Sequence, residues 1–149
     1  GSSIPLNTDF DTLSFLLGIN ARDNVPGGLG NSITDYNMEW PESLGGGYHF
    51  MRLEGQYQDT TKNKGYALHF GKTPNQVAVT LLLPKKYQFT NNGQLLSCTI
   101  NFNIAQLLKD PQIIDFKKIP GSIMNNDSIQ HVIAINAADA FSLKSINLQ

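Results

Sequence analysis

Two histidines and a methionine occupy neighbouring predicted strands and could together bind a metal ion. His49 and Met51 fall within a predicted strand at 48–54, and His69 falls within another at 66–70. Imidazole nitrogen and thioether sulfur are donors that favour copper over calcium or magnesium, which prefer oxygen ligands. The sequence therefore offers a candidate copper site, with a pair of ordinary hydrogen-bonded histidines as the alternative interpretation.

The register of the two strands decides whether these side chains meet. Gly55 and Gly65 bracket the polar segment between the strands, so we expect an antiparallel hairpin in which these glycines are opposite each other. That register places Met51 directly opposite His69, with His49 diagonal to His69 on the same face. A shift of one residue would move one strand's side chains to the other face and separate the three donors.

A loop that contains the only tryptophan precedes this hairpin. Residues 19–47 lack periodicity and are rich in glycine and proline, and so long an irregular stretch in a compact domain is either functional or mobile. Trp40 lies in this loop between Glu39 and Glu42. An exposed indole among polar residues would offer a stacking platform for a sugar ring, whereas a buried indole would close one end of the core.

Alternation of apolar and polar residues dominates the rest of the chain. It predicts six strands, at 12–17, 48–54, 66–70, 77–83, 94–103 and 142–148, with Pro84 closing the fourth. Helical spacing predicts 104–109 and, more strongly, 127–140, where Asp127 is the expected N-cap. The sum is a mainly β fold, an antiparallel β-sandwich with one short C-terminal helix, and a closed antiparallel sheet is the alternative architecture.

Composition and missing motifs exclude several classes of function. The 149 residues are 40% hydrophobic, which suits a single domain, and the net charge of −1 argues against a dedicated nucleic-acid binder. The apolar runs are far shorter than the roughly 20 residues that a transmembrane helix needs. The sequence has no Gly-Xaa-Ser-Xaa-Gly elbow, no His-Glu-Xaa-Xaa-His motif and no Walker loop. We therefore expect a protein that is not an enzyme.

The first residues of the sequence are typical of an expression scar or a trimmed start. The chain begins Gly-Ser-Ser without an initiator methionine, so residues 1–9 are expected to be a tag remnant or linker and residues 10–149 the single domain. A signal peptide or lipid-attachment segment is expected outside this sequence. The low charge and the many asparagines suit an exported protein.

Several short motifs follow one another in a fixed order along the chain. They are Leu-Gly-Ile-Asn at 17–20, Met-Glu-Trp at 38–40, Gly-Tyr-His-Phe at 47–50, Leu-His-Phe-Gly at 68–71, Ile-Met at 123–124 and the helix end at 136–141. In this order they resemble the MbnP-like family of methanobactin-associated copper-binding proteins. The similarity runs from about Phe10 to Leu143.

The resemblance implies an exported β-sandwich in the periplasm or on the outer cell surface, often a lipoprotein, with copper as the bound metal in its best-studied branch. In that branch a partner di-haem enzyme oxidises a tryptophan to kynurenine, and this residue takes part in the site. Trp40 and His69 match family positions, whereas His49 rests on the hairpin argument alone. We expect His69 to supply a nitrogen, Met51 or Met38 to supply a sulfur, and Trp40 to pack over the metal.

This sequence also departs from the family pattern. Members often carry a second aromatic residue two positions after the tryptophan, where this chain has Glu42, and copper-binding members carry histidine just before it, where this chain has Glu39. Members also have strands before the one at Leu13, which this sequence is expected to lack. The alternative function is a surface lipoprotein module that binds a glycan or protein ligand without metal.

Overall fold

The computed structural model describes residues 6–30 and 37–149, and this part of the chain contains six strands and two α-helices. The strands are β1 (Asp9–Leu17), β2 (His49–Asp59), β3 (Lys62–Gly71), β4 (Val77–Gln88), β5 (Leu96–Phe102) and β6 (Phe141–Leu148); the helices are α1 (Ile104–Lys109) and α2 (Asp127–Ala138). The strands pair as β1 with β4, β2 with β3 and β5 with β6, and every pair is antiparallel. The mainly β, antiparallel fold is therefore confirmed. Most of the predicted linker at 1–9 lies outside the described residues.

One apolar core joins the strand pairs to the helices. Its buried members come from β3, β4, both helices and their connections: Leu68, Phe70, Val77, Val79, Leu107, Ile114, Ile123, Ile133, Ala137 and Ala140. Side chains of β1, β2 and β6 pack against this cluster with partial exposure, among them Phe15, Leu53 and Phe141. The arrangement is sandwich-like, and the described strands form three separate pairs rather than one closed sheet.

Strand β4 continues past the proline that was expected to end it. The register of β1 against β4 shifts between Phe10 and Thr12, so that Tyr87 and Leu82 have partners in β1 while residues 83–86 have none. Pro84 lies in this irregular stretch, where its missing backbone N–H removes no ladder hydrogen bond. The prediction that Pro84 closes the strand is wrong for this reason.

Helix α2 has a different N-cap from the predicted one. The side chain of Asn126, one residue before Asp127, accepts a hydrogen bond from the backbone N–H of Ile129 at 3.1 Å. The inward face of the helix buries two amide side chains, Gln130 and Asn136, beside its apolar residues. Neither described helix has the length and hydropathy needed to span a lipid bilayer.

Candidate metal site

The β2–β3 hairpin is present as predicted, but its register differs by one residue. The turn contains only residues 60–61, and Thr60 has a φ of 49°, the positive φ that two-residue hairpin turns require at their first central residue. This short turn sets Gly55 opposite Tyr66 instead of Gly65. The predicted register is therefore wrong, because turn length and not the glycine pair determines which residues face each other.

The true register removes Met51 from the predicted cluster. His69 is opposite Arg52, and Met51 is opposite Phe70. Because successive side chains of a strand point to opposite faces, Met51 belongs to the core-facing side, where it packs against the buried cluster. The prediction that Met51 lies opposite His69 is wrong, and its sulfur lies on the other face of the hairpin from the imidazole.

A β-bulge at Phe50 returns His49 to the face that carries His69. The pairing shifts between His49 and Met51, so that His49 is opposite Gly71. An uninterrupted strand would have placed His49 on the core-facing side with Met51. With the bulge, the rings of His49 and His69 lie 5.0 Å apart between centroids, with an angle of 82° between their planes. The structure therefore brings the two predicted histidines together, although the bulge that does so leaves no sign in the alternation pattern.

Trp40 packs on the histidine pair and is buried. The centroid of its indole lies 4.7 Å from that of His49, and the residue is 2% exposed. Its backbone N–H donates to the carbonyl of Gly47 at 2.8 Å, and its ring N–H donates to the carbonyl of Leu44 at 3.3 Å. Gly71 provides the space, because a Cβ there would lie 2.7 Å from the indole Cε3. The indole has no exposed face for stacking on a sugar, so the alternative interpretation applies, in which a buried indole closes one end of the core.

Met38 contributes its backbone to the site. Its carbonyl oxygen accepts a hydrogen bond from Nδ1 of His49 at 3.0 Å, since a carbonyl has no hydrogen to donate. The loop that carries Trp40 is thereby fastened to β2 at the histidine itself. Met38 is half-buried.

The surroundings of His49 keep its imidazole neutral. Burial lowers the pKa of His49 below its ordinary value, and repulsion from His69 and Arg52 lowers it further, while the hydrogen bond to the Met38 carbonyl opposes these effects. An ordinary histidine is already mostly neutral at pH 7. The Nε2 of His49 therefore carries a lone pair that is available to a metal ion.

An ionic network holds His69 from its other side. Nε2 of His69 lies 2.5 Å from Oε1 of Glu54, and the same oxygen accepts a hydrogen bond from Arg52 at 2.8 Å. Arg52 also donates to the carbonyl of Asn37 at 2.9 Å. The hydrogen bond from Arg52, followed by that from His69, lowers the pKa of Glu54. The predicted register placed neither Arg52 nor Glu54 correctly against His69, which is why sequence reasoning missed both residues.

Gln130 of α2 fixes the end of β3, which carries His69. The side chain is fully buried; its Oε1 accepts from the backbone N–H of Gly71 at 3.1 Å, and its Nε2 donates to the carbonyl of His69 at 2.6 Å. Sequence reasoning missed Gln130 because a polar residue of an amphipathic helix is normally assigned to solvent. The available signal was its spacing, three residues before the inward-facing Ile133.

Each histidine of the pair has one buried ring nitrogen without a hydrogen-bond partner. Nε2 of His49 and Nδ1 of His69 are closed to solvent, and neither finds a partner among the described residues, including the other histidine. Leaving a buried polar atom unpaired costs about 1–3 kcal/mol, and such an atom in a native structure points to a bound ion or water molecule. Two of them in contacting rings mark this position as a candidate ion site.

The rest of the described chain offers no larger ligand cluster. Residues 6–30 and 37–149 contain no group of three or more histidine, cysteine, aspartate or glutamate side chains arranged for a metal ion. The third histidine, His131, lies on the exposed side of α2. The imidazole pair at the β2–β3 hairpin is therefore the candidate metal site of the described residues.

The MbnP family model matches residues 2–125, a range that contains the hairpin, the Trp40 loop and both histidines. The chain belongs to the MbnP family. The matched range ends just before α2, so Gln130 and His131 lie beyond it. No curated protein and no solved structure matches the chain.

The side chains of the two glutamates that depart from the MbnP pattern make no hydrogen bond to His49 or His69, although the backbone of Glu39 lies close enough to His49 to raise its pKa. Glu39 forms an isolated backbone bridge with Tyr48, and Glu42 begins a short 3₁₀ turn at Glu42–Leu44. Both residues are exposed. In this MbnP protein the substitutions leave the contact between the indole and His49 in place.

Proposed function

We propose that this MbnP protein binds a copper ion as cargo between His49 and His69 and is not an enzyme. The observation that carries the proposal is the pair of buried nitrogens without partners among the described residues, Nε2 of His49 and Nδ1 of His69, in rings 5.0 Å apart. A metal ion would satisfy both atoms at once, because each neutral imidazole offers one lone pair.

The donor chemistry favours copper over the common competing ions. Calcium and magnesium require several oxygen ligands, and structural zinc is almost always held by four protein ligands. The described residues contain no group of three or more histidine, cysteine, aspartate or glutamate side chains that could hold a calcium, magnesium or structural zinc ion. Copper stands highest among the divalent first-row metals in affinity for nitrogen sites, and thioethers favour its reduced form. Because Met51 lies on the opposite face, we assign the sulfur donor of this proposal to Met38.

Trp40 would exclude water from one side of the ion, since its indole is buried against His49.

Membership of the MbnP family supports three further parts of the proposal: export to the periplasm or outer cell surface, a lipid anchor, and a di-haem partner enzyme that oxidises Trp40 to kynurenine. Mass spectrometry of the protein from its native host tests the last part. Unmodified Trp40 in protein taken from cells that make the partner would contradict it.

A competition titration tests copper binding directly. Wild type, His49→Ala, His69→Ala and the control His131→Ala would be titrated with Cu(I) under reducing conditions against a chromophoric chelator. We expect each site variant to bind at least tenfold more weakly, which is about 1.4 kcal/mol, and the control to match wild type. Equal, weak binding by all four folded proteins would contradict the proposal and favour the metal-free binding module.

A further inference from the structure

We propose that Glu54 is a positioning residue that fixes His69 in the tautomer with its hydrogen on Nε2. The two histidines then present unlike nitrogens to the metal, Nδ1 from His69 and Nε2 from His49. The metal part of this inference rests on the proposed function, whereas the tautomers are properties of the metal-free protein and are tested without copper.

The contact of His69 with Glu54 determines where the hydrogen lies. A glutamate carboxyl has an ordinary pKa of about 4.3 and is ionised at neutral pH, so it accepts hydrogen bonds and donates none. The distance of 2.5 Å between Oε1 of Glu54 and Nε2 of His69 therefore requires the hydrogen on Nε2. A hydrogen on Nδ1 instead would be buried with no acceptor among the described residues.

The contact of His49 with the Trp40 loop places the hydrogen of this ring on Nδ1 rather than on Nε2. The carbonyl oxygen of Met38 lies 3.0 Å from Nδ1 of His49 and accepts the ring hydrogen there. The lone pair of His49 is therefore on Nε2, which is the second buried nitrogen without a partner among residues 6–30 and 37–149. A side-chain carboxylate and a backbone carbonyl thus orient two contacting rings so that their lone pairs sit on the two atoms closed to solvent.

Arg52 keeps Glu54 in place despite its exposure. The Glu54 side chain is 51% exposed and would be free to rotate into solvent without a second contact. Arg52 lies on the same face of β2, two residues earlier, and donates to Oε1 of Glu54 at 2.8 Å. Its other contact, to the carbonyl of Asn37 at 2.9 Å, ties this pair to the loop before Trp40. Carboxylates that orient metal-binding histidines in this way are a recurrent feature of metal sites.

The tautomers can be read in the metal-free protein by long-range ¹H–¹⁵N correlation spectra of the imidazole rings at neutral pH. We expect His69 to carry its hydrogen on Nε2 and His49 on Nδ1. Glu54→Gln keeps an acceptor oxygen and should retain the His69 tautomer, whereas Glu54→Ala should lower the population of the Nε2–H form, because only the burial of Nδ1 then opposes the other tautomer. Glu42→Ala, which removes an exposed carboxylate of the Trp40 loop, is the matched control and should leave the spectrum of His69 unchanged.

Two spectroscopic results would overturn the assignment of the His69 tautomer to Glu54. They are a wild-type His69 with its hydrogen on Nδ1, and a Glu54→Ala spectrum identical to wild type. In the copper titration, Glu54→Ala should bind Cu(I) about 10–100-fold more weakly than wild type, with Glu54→Gln closer to wild type. An unchanged affinity in Glu54→Ala would refute the positioning role while leaving copper binding intact. If the tautomers are as expected but neither wild type nor any variant binds copper, the proposed function is refuted. The role of Glu54 in setting the His69 tautomer is then still supported.

Discussion

Replacement of Gly71 by alanine tests how the indole is seated on the end of β3. A Cβ at this position would lie 2.7 Å from Cε3 and 2.8 Å from Cζ3 of Trp40, and 3.0 Å from the carbonyl oxygen of Tyr48. The nearest obstacle is a rigid ring rather than a flexible chain end. Because the indole N–H is bonded to the carbonyl of Leu44, the ring cannot move without losing that hydrogen bond.

The expected destabilisation follows from this overlap. Extra methyl groups in a well-packed site typically cost about 1–3 kcal/mol. At about 2–4 °C per kcal/mol for a domain of this size, the melting temperature of Gly71→Ala should fall by about 2–12 °C. Thermal denaturation followed by circular dichroism measures this fall. Trp40 is the only tryptophan, so a red shift of its emission would report displacement of the indole from its buried position.

Gly65→Ala is the matched control, because Gly65 lies on the same strand. A Cβ there would approach no closer than 3.9 Å, to the carbonyl oxygen of Gly55. The backbone of Gly65 does not require a positive φ. We therefore expect Gly65→Ala to be as stable as wild type or slightly more so, by up to about 1 kcal/mol. A Gly71→Ala protein with the same melting temperature and emission as Gly65→Ala would refute this account of the Trp40 contact.

Three other substitutions test the remaining parts of the structure. Met51→Leu should leave the affinity for Cu(I) unchanged and alter stability by less than about 1.5 kcal/mol, because the side chain packs in the core; a loss of affinity in the titration would place its sulfur in the site. Gln130→Leu should lower the free energy of unfolding in urea by about 1–3 kcal/mol, because the His69 carbonyl and the Gly71 N–H lose their partner; wild-type stability would contradict the role given to Gln130. Lys64, at 2.6 Å, and Lys117, at 3.4 Å, lower the pKa of Asp59. A carboxyl with a lowered folded-state pKa stabilises the protein above its unfolded pKa of about 3.9 and loses this effect as the pH falls through the folded-state value. Asp59→Asn should therefore be less stable than wild type at pH 7, with a gap that closes in acid; a gap independent of pH in urea denaturation would show that the ion pairs contribute nothing.

The strands and helices could be predicted because their signals are local. Alternation along 77–83 and helical spacing along 127–140 depend only on neighbouring residues, and both segments form the expected element. The register of β2 against β3 could not be predicted in the same way. It depends on a two-residue turn at Thr60, which lacks the usual glycine or asparagine. It also depends on a bulge at Phe50 that no residue type in the sequence indicates.

The site was predictable only in part for the same reason. The predicted register and the observed one both place His49 and His69 on one face, but only because the bulge at Phe50 compensates for the one-residue error in register. The contacts of Glu54 and Gln130 with His69 depend on the true register and on how α2 docks against β3. Such long-range contacts are decided by packing rather than by the local sequence.

The most direct test of the account is the addition of a single equivalent of Cu(I) to protein with ¹⁵N-labelled histidine. We predict that the resonances of Nε2 of His49 and Nδ1 of His69 shift together while those of His131 remain in place. A shift confined to His131, or no shift at His49 and His69, would contradict the claim that this imidazole pair is the copper site.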